Sequence, residues 1–460
     1  MSLHLPLAHG IGQIQDLPIP RWLFYYAASI TLILSFVALG VLWREPRLSG
    51  RERGRPLSEP WQRFLLWPGW RILFGAISVG LLVVVWLAAL VGRPDAGDNI
   101  APVFIWVIFW LGLVPLVVLF GNLWSVLNPW RAAADAVAWA WERLGRSWEP
   151  AAAYPERLGR WPAAALLLAF ATLELAWPRS AEPRTLALAI VVYSWITWAG
   201  MLIYGRRAWL DNGEAFTIYF GLFSRISAFA VREDDGRRRV VVRPPLSGLA
   251  AGDSHPGTVA FVAVMLGSVA FDGLSRATWW SDQLYEIEAR YIVDSPTKAD
   301  FAHLGFNLVG LVCAVLAIGA LYTLAVFSAK AIGHTNASLA GAFVGSLVPI
   351  ALAYAVAHYF TLLVETGQDV VYLASDPFGK GWDLFGTSDF RPKQNVFAPN
   401  TIWYVQVGVL VTGHVLGLVL AHDRAVAQFS SARTAVRTQY AMLVLMVLYT
   451  CTGLWLLSSG

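Results

Sequence analysis

Ten apolar stretches, each close to 20 residues long, recur along the 460-residue chain, at about 22–43, 71–92, 103–124, 162–178, 185–205, 257–274, 305–329, 340–364, 401–421 and 438–457. An α-helix rises about 1.5 Å per residue, so about 20 apolar residues cross a hydrocarbon core of about 30 Å. Within that core each backbone N–H and C=O must find its partner inside its own segment, which a helix provides. The repetition predicts an all-α polytopic integral membrane protein of about ten transmembrane helices, built as a single membrane domain over residues 1–460. Charged residues are 14% of the chain, against roughly 25% in a soluble domain. A soluble globular enzyme is thereby excluded, and the lipid bilayer is the first expected partner.

The basic residues set the expected orientation. Cytoplasmic loops carry the excess of Arg and Lys. With the N-terminus outside, inner loops 44–71, 131–160, 206–256, 330–339 and 422–437 hold 7, 5, 8, 1 and 3 basic residues, 24 of the 34. Both termini then lie outside. Arginine outnumbers lysine thirty to four, and the sequence has no lysine run and no nucleic-acid motif. The net charge of +4 is therefore read as topology, with no nucleic-acid partner. Cys313 and Cys451 fall in apolar helices and read as packing residues. In the lead-in MSLHLPLAHGIGQIQDLPIPR, Leu7-Ala8 precedes His9 as a small-residue cleavage site would precede a mature end, although a short polar entry to the first helix explains it as well.

The loops have structure of their own. RAAADAVAWAWER, 131–143, and the segment 216–226 have helical apolar spacing and are expected to lie at the interface. FAVREDDGRRRVVV, 229–242, reads as a hairpin turning at Asp-Gly. Asn122 and Asn128 in FGNLWSVLNPW read as helix-capping residues. Phe120-Gly121 before Asn128 echoes Tyr204-Gly205 before Asn212, a faint sign of internal duplication. The aromatic and charged segments 275–303 and 366–400 are expected as outer caps.

AHYFTLLVETGQD, 357–369, carries the chemistry of most interest. At about 100° per residue, steps of seven and eleven return near the starting direction. A helix continuous to residue 369 would align His358, Glu365 and Asp369 on one stripe. Ionisable groups in a bilayer cost roughly 2.5–3.5 kcal/mol each on insertion scales and are usually paired or functional. Glu174, Asp272 and His303 also fall toward the outer ends of their helices, and His414 lies deeper in its own. Imidazoles and carboxylates so gathered can bind a divalent metal such as zinc, iron or manganese. The candidate ligands are His303, His358, His414 and Glu365, and the candidate catalytic residues are His358, Glu365 and Asp369. For each group singly, a hydrogen-bonded packing role is the alternative. His422-Asp423-Arg424 reads as a solvated inner helix end.

HGIG with DLPIPRWLF at 9–24, SFVALGVLWREPRL at 35–48, NLWSVLNPW at 122–130, AHYFTLL at 357–363, SDPFGKGWDLFGT at 375–387 and IWYVQVGVLVTGHVLGLVLAHDRA at 402–425 resemble bacterial multi-pass membrane proteins labelled fenitrothion hydrolase. The resemblance implies the bacterial cytoplasmic membrane, hydrolysis of organophosphorus triesters and a longer secretory leader than this one. It assigns no catalytic residue. Two expectations follow. One is a membrane-embedded hydrolase with an outward-opening, metal-dependent site for a hydrophobic small-molecule substrate. The other is a transporter or permease for a metal ion or proton-coupled solute, using the same polar residues as its path. A haem protein with His358 and His414 as axial ligands is a third.

Overall fold

The computed structural model describes residues 20–335 and 338–459; His9 and the lead-in lie outside them. Helix α1 (Arg21–Leu42) leads to the short β1 (Arg55–Pro56) and α2 (Glu59–Leu65), and α3 starts at a proline (Pro68–Val91). The next pass is composite: α4 (Ile100–Val103), a π-helical segment (Phe104–Gly112) and α5 (Leu113–Phe120). Then come α6 (Trp124–Leu127), α7 (Pro129–Arg143), α8 (Trp161–Leu175), α9 (Pro183–Tyr204), α10 (Arg206–Asn212) and α11 (Ala215–Ser224). Strands β2 (Phe229–Asp234) and β3 (Arg237–Val242) precede α12 (Ser247–Ala250) and α13 (Thr258–Ser275). The last third holds α14 (Thr278–Ile292), α15 (Pro296–Gly333), α16 (Ala340–Phe343), α17 (Val348–Glu365), α18 (Val370–Ser375), α19 (Pro399–Gln428), α20 (Ala432–Thr438) and α21 (Tyr440–Ser459).

Among the described residues nine helical segments are long and apolar enough to cross a membrane, which makes this a multi-pass membrane protein by length and composition. The tenth expected span, 162–178, is shorter than the sequence suggested. Helix α8 has 15 residues, about 22 Å of rise. Pro162 fixes its first turn, and Pro178 follows just past its end, where a proline cannot continue a helix.

Contacts sort the connections into two ends. At one end Asp423 of α19 holds residues 47–49, Arg160 pairs with Asp253, and β1 joins β3. At the other, Arg93 N–H donates to the Phe378 carbonyl, and Arg179 pairs with Asp300. The nine long apolar segments, and the shorter α8 with them, alternate between these ends. The Arg-rich loops share the first, called here the basic end.

The sheet is three-stranded and antiparallel in the order β1-β3-β2. Its hairpin turns at Asp235-Gly236, both with positive φ (50° and 72°), the geometry that favours Asp-Gly in a two-residue turn. Strand β1 is two residues long, too short for any alternation to announce it. Gln62 of α2 ties the segment after it to β3: its side chain donates to the Val240 carbonyl at 2.8 Å and accepts from the Val240 N–H at 2.8 Å.

Two loop expectations change. Helix α7 is amphipathic as expected, with Ala134 and Ala138 buried and Trp139 exposed. Helix α11 is not interfacial. Phe216, Ile218, Tyr219, Phe220, Leu222 and Phe223 are all buried, because apolar side chains surround its whole circumference and such a helix belongs inside a bundle. The expected solvated end at 422–424 is also overturned. Asp423 is fully buried and accepts from Trp43 Nε1, from the N–H groups of Arg47, Leu48 and Ser49, and from Ser49 Oγ. It is the cap of the turn that follows α1. His422 beside it bonds the Trp43 carbonyl at 2.9 Å. Of the expected outer caps, 275–303 is largely helical, as α14 and the first turns of α15.

Candidate functional site

Asp272 and Arg276 lie one turn apart near the end of α13, a helix rich in small residues that packs tightly at the centre of the bundle. Gly267 there lies against Val315 of α15, and Gly273 against Leu456 of α21. This close packing brings Asp272 to α17. Its Oδ2 lies 2.6 Å from His358 Nε2, with both residues buried. Arg276 reaches Oδ1 at 3.5 Å, and the Tyr359 hydroxyl turns to the same carboxylate. The His358 and Tyr359 rings meet edge to face at 4.7 Å.

Glu174 completes the group from the last turn of α8. It is 5% exposed, lies within electrostatic reach of Asp272 and faces the Trp110 indole, whose N–H falls short of hydrogen-bond geometry. Trp110 comes from the π segment and stacks on Tyr219 of α11 at 4.5 Å. The wide π turn directs both Trp106 and Trp110 inward, and such turns recur at functional sites. Two carboxyls and an imidazole are thus buried together, with a partly exposed guanidinium at their edge, and the number of protons they hold sets the net charge of the group.

The remaining candidates do not join this group. The stripe through His358, Glu365 and Asp369 is interrupted, because α17 ends at Glu365 and Thr366–Asp369 is a 3-10 turn. Its rotation of about 120° per residue, in place of about 100°, swings Asp369 out of line. His303 Nδ1 lies 2.5 Å from Glu288 Oε1, and its Nε2 lies 2.9 Å from Asn307. Asn307 in turn accepts from Trp280 Nε1. Trp280 packs on Phe271 at 5.4 Å, and the relay's hydrogen bonds run to Glu288, Asn307 and Trp280. His414 Nδ1 bonds the Leu410 carbonyl at 2.8 Å, while its buried Nε2 has no partner. Among the described residues no group of three or more His, Cys, Asp or Glu is placed to hold a metal ion. The convergence of His303, His358 and Glu365 that a metal centre would need is not the arrangement seen.

A second buried network escaped the sequence reading. Glu214 caps α11, accepting from the N–H groups of Phe216 (3.0 Å) and Thr217 (2.8 Å). It also accepts from Tyr193, Thr217 Oγ1 and Asn128. Its only sequence signal is its place just before an apolar helical run, the N-cap position. Asn128 caps α7 through Arg131 N–H, and Asn122 accepts from Ser125 N–H, as their positions suggested.

Two large spaces open elsewhere among these helices. An apolar crevice of about 650 Å³ lies between α3, the π segment, α8 and α9, lined by Phe109, Phe170, Leu173, Trp177, Tyr193 and Phe216 among others. A groove of about 1500 Å³ runs between α8, α13 and α15 toward the basic end. At that end Asp253 pairs with Arg160 at 2.5 Å and Arg225 at 3.1 Å. Burial opposes its charge, but Arg160, Arg225 and the His255 hydrogen bond outweigh burial and hold its carboxyl well below the usual range.

No family model matches this chain, and comparisons with curated proteins and with solved structures likewise find no match.

Proposed function

We propose that the protein is a proton-coupled membrane carrier for an apolar small molecule, with Glu174, Asp272 and His358 as its proton site. The observation that carries this reading is the buried Asp272–His358 pair at 2.6 Å with Glu174 beside it. Acid and imidazole groups inside a bundle are costly, and chains of them mark proton relays in transporters. Neither the crevice nor the groove is lined by Asp272 or His358; a proton needs no cavity, whereas a triester does. The crevice supplies the solute's place. The π segment and α8 line it with Phe109, Phe170 and Leu173 while presenting Trp110 and Glu174 to the acidic group. A change of charge at Glu174 would therefore act on the helix that walls the crevice.

The test is reconstitution into liposomes with an imposed pH gradient, following a lipophilic aromatic dye and internal pH together. Gradient-driven dye movement with matching proton flux, abolished in Glu174→Gln and Asp272→Asn, is expected. Dye movement indifferent to the gradient, or unaltered in both variants, would refute the carrier.

A second reading is a hydrolase of organophosphorus triesters, as the family resemblance implies. It draws support from the carboxylate–imidazole pair, since an Asp that orients His is a general-base arrangement. A chromogenic triester assay decides it: full turnover by His358→Asn removes the pair from any such reaction.

A further inference from the structure

The groove at the basic end has a built shape. Small residues form its floor: Ala164 and Ala165 of α8, Ala260 and Ala263 of α13, Gly319 and Ala320 of α15. Bulky residues form its rim on α15, where Leu316, Leu324 and Phe327 are 64%, 64% and 67% exposed. Along α15 it extends from Val315 to Phe327, twelve residues or about 18 Å of rise. That length is close to one leaflet, about half of a 30 Å hydrocarbon core. Away from the mouth the lining is apolar apart from Thr258 and Thr323, whose hydroxyl donates to the Gly319 carbonyl of its own helix, and the charged groups gather at the mouth, where Asp253, His255 and Arg424 lie.

The charges at the mouth are unevenly engaged. Asp253 is neutralised by Arg160 and Arg225. Asp423 is occupied by the amides of residues 47–49. Arg424 feels the charges of Asp423 and Glu52, but among the described residues its Nη1 meets Ser49 Oγ at 3.5 Å and its buried Nε has no hydrogen-bond partner. A guanidinium with unmatched donors, set where a long apolar channel opens, suits a phosphate bearing a hydrocarbon chain.

We propose that this groove holds one phospholipid from the leaflet at the basic end, its phosphate on Arg424 and one acyl chain along α15. The site is separate from the acidic group, so its loss would leave the carrier reading intact.

Native mass spectrometry of the full-length protein, delipidated and then given phosphatidylglycerol, tests it. One tightly retained lipid is expected, reduced at least about tenfold in Arg424→Gln and in Ala320→Trp, which fills the channel without touching charge. Ala320 is exposed on α15, so the second variant remains informative if the first does not fold. Inorganic phosphate should not displace the lipid, and diacylglycerol, which lacks the phosphate, should not be retained. Retention unchanged in Ala320→Trp, displacement by phosphate alone, or equal retention of diacylglycerol would each overturn the site.

Discussion

His358 Nε2 and Asp272 Oδ2 lie 2.6 Å apart, with 3% and 0% of their side chains exposed. The two residues are 86 positions apart in sequence, on different helices. The pair joins α13 to α17 and is the polar centre of the bundle.

Removing one partner of a buried hydrogen-bonded pair costs about 1–3 kcal/mol or more, because the other partner stays behind unmatched. Asp272→Leu should therefore lower the melting temperature in detergent markedly. The double change Asp272→Leu with His358→Phe should recover part of that loss, the remainder reflecting Arg276 and Tyr359 left without the carboxylate. A double variant no more stable than the single would show that the pair is not a unit.

Asp253 makes stability pH-dependent. Its folded-state pKa is depressed, so its contribution is complete above the ordinary carboxylate value of about 4 and declines as pH falls toward the folded value. Thermal melts should show the wild type losing stability below about pH 4. Asp253→Asn should be less stable at neutral pH and should lack that acid-side dependence. Parallel pH profiles for the two proteins would contradict the assignment.

Asp423 accepts five hydrogen bonds from Trp43 and residues 47–49. Bonds to a charged group contribute about 1.5–3 kcal/mol each when made, and a buried donor left unmatched is costly. Asp423→Ala should destabilise the protein by several kcal/mol and open residues 44–58 to limited proteolysis. An unchanged digestion pattern would mean that the turn holds without its cap.

Crevice occupancy can be tested apart from transport. Ala189 lines the crevice and is half-buried, so Ala189→Phe should reduce the affinity for a lipophilic aromatic dye at least about tenfold with little change in melting temperature. Fluorescence titration in detergent reads this directly. Full affinity would place the dye elsewhere.

The sequence announced the helices well because each pass must satisfy its own backbone in lipid, so the signal is local. The hairpin at 229–242 was legible for the same reason: Asp-Gly between strand-like runs is a local instruction. His358, Asp272 and Glu174 could each be singled out by the cost of charge in lipid. Their mutual partners could not, since nothing in α13 says which helix will face Asp272. Arg276, one turn beyond Asp272, and Tyr359, next to His358, carried only weak local hints. The stripe through Glu365 and Asp369 failed because a 3-10 turn changes rotation per residue, and TGQD shows no plain mark of it. Asp423 was misread because a charged helix end looks the same whether water or a distant turn receives it.

By itself, then, the sequence determined that the chain holds many helices long and apolar enough to cross a membrane, that its arginines cluster in alternate loops, and which residues are too polar for such helices to carry without cause. Those are properties of single segments in a given solvent. The tertiary structure alone decided that Asp272 meets His358, that His303 turns to Glu288, and that Asp423 receives the turn after α1. Each of those outcomes depends on which helix faces align, and that is settled by packing between segments far apart in the chain.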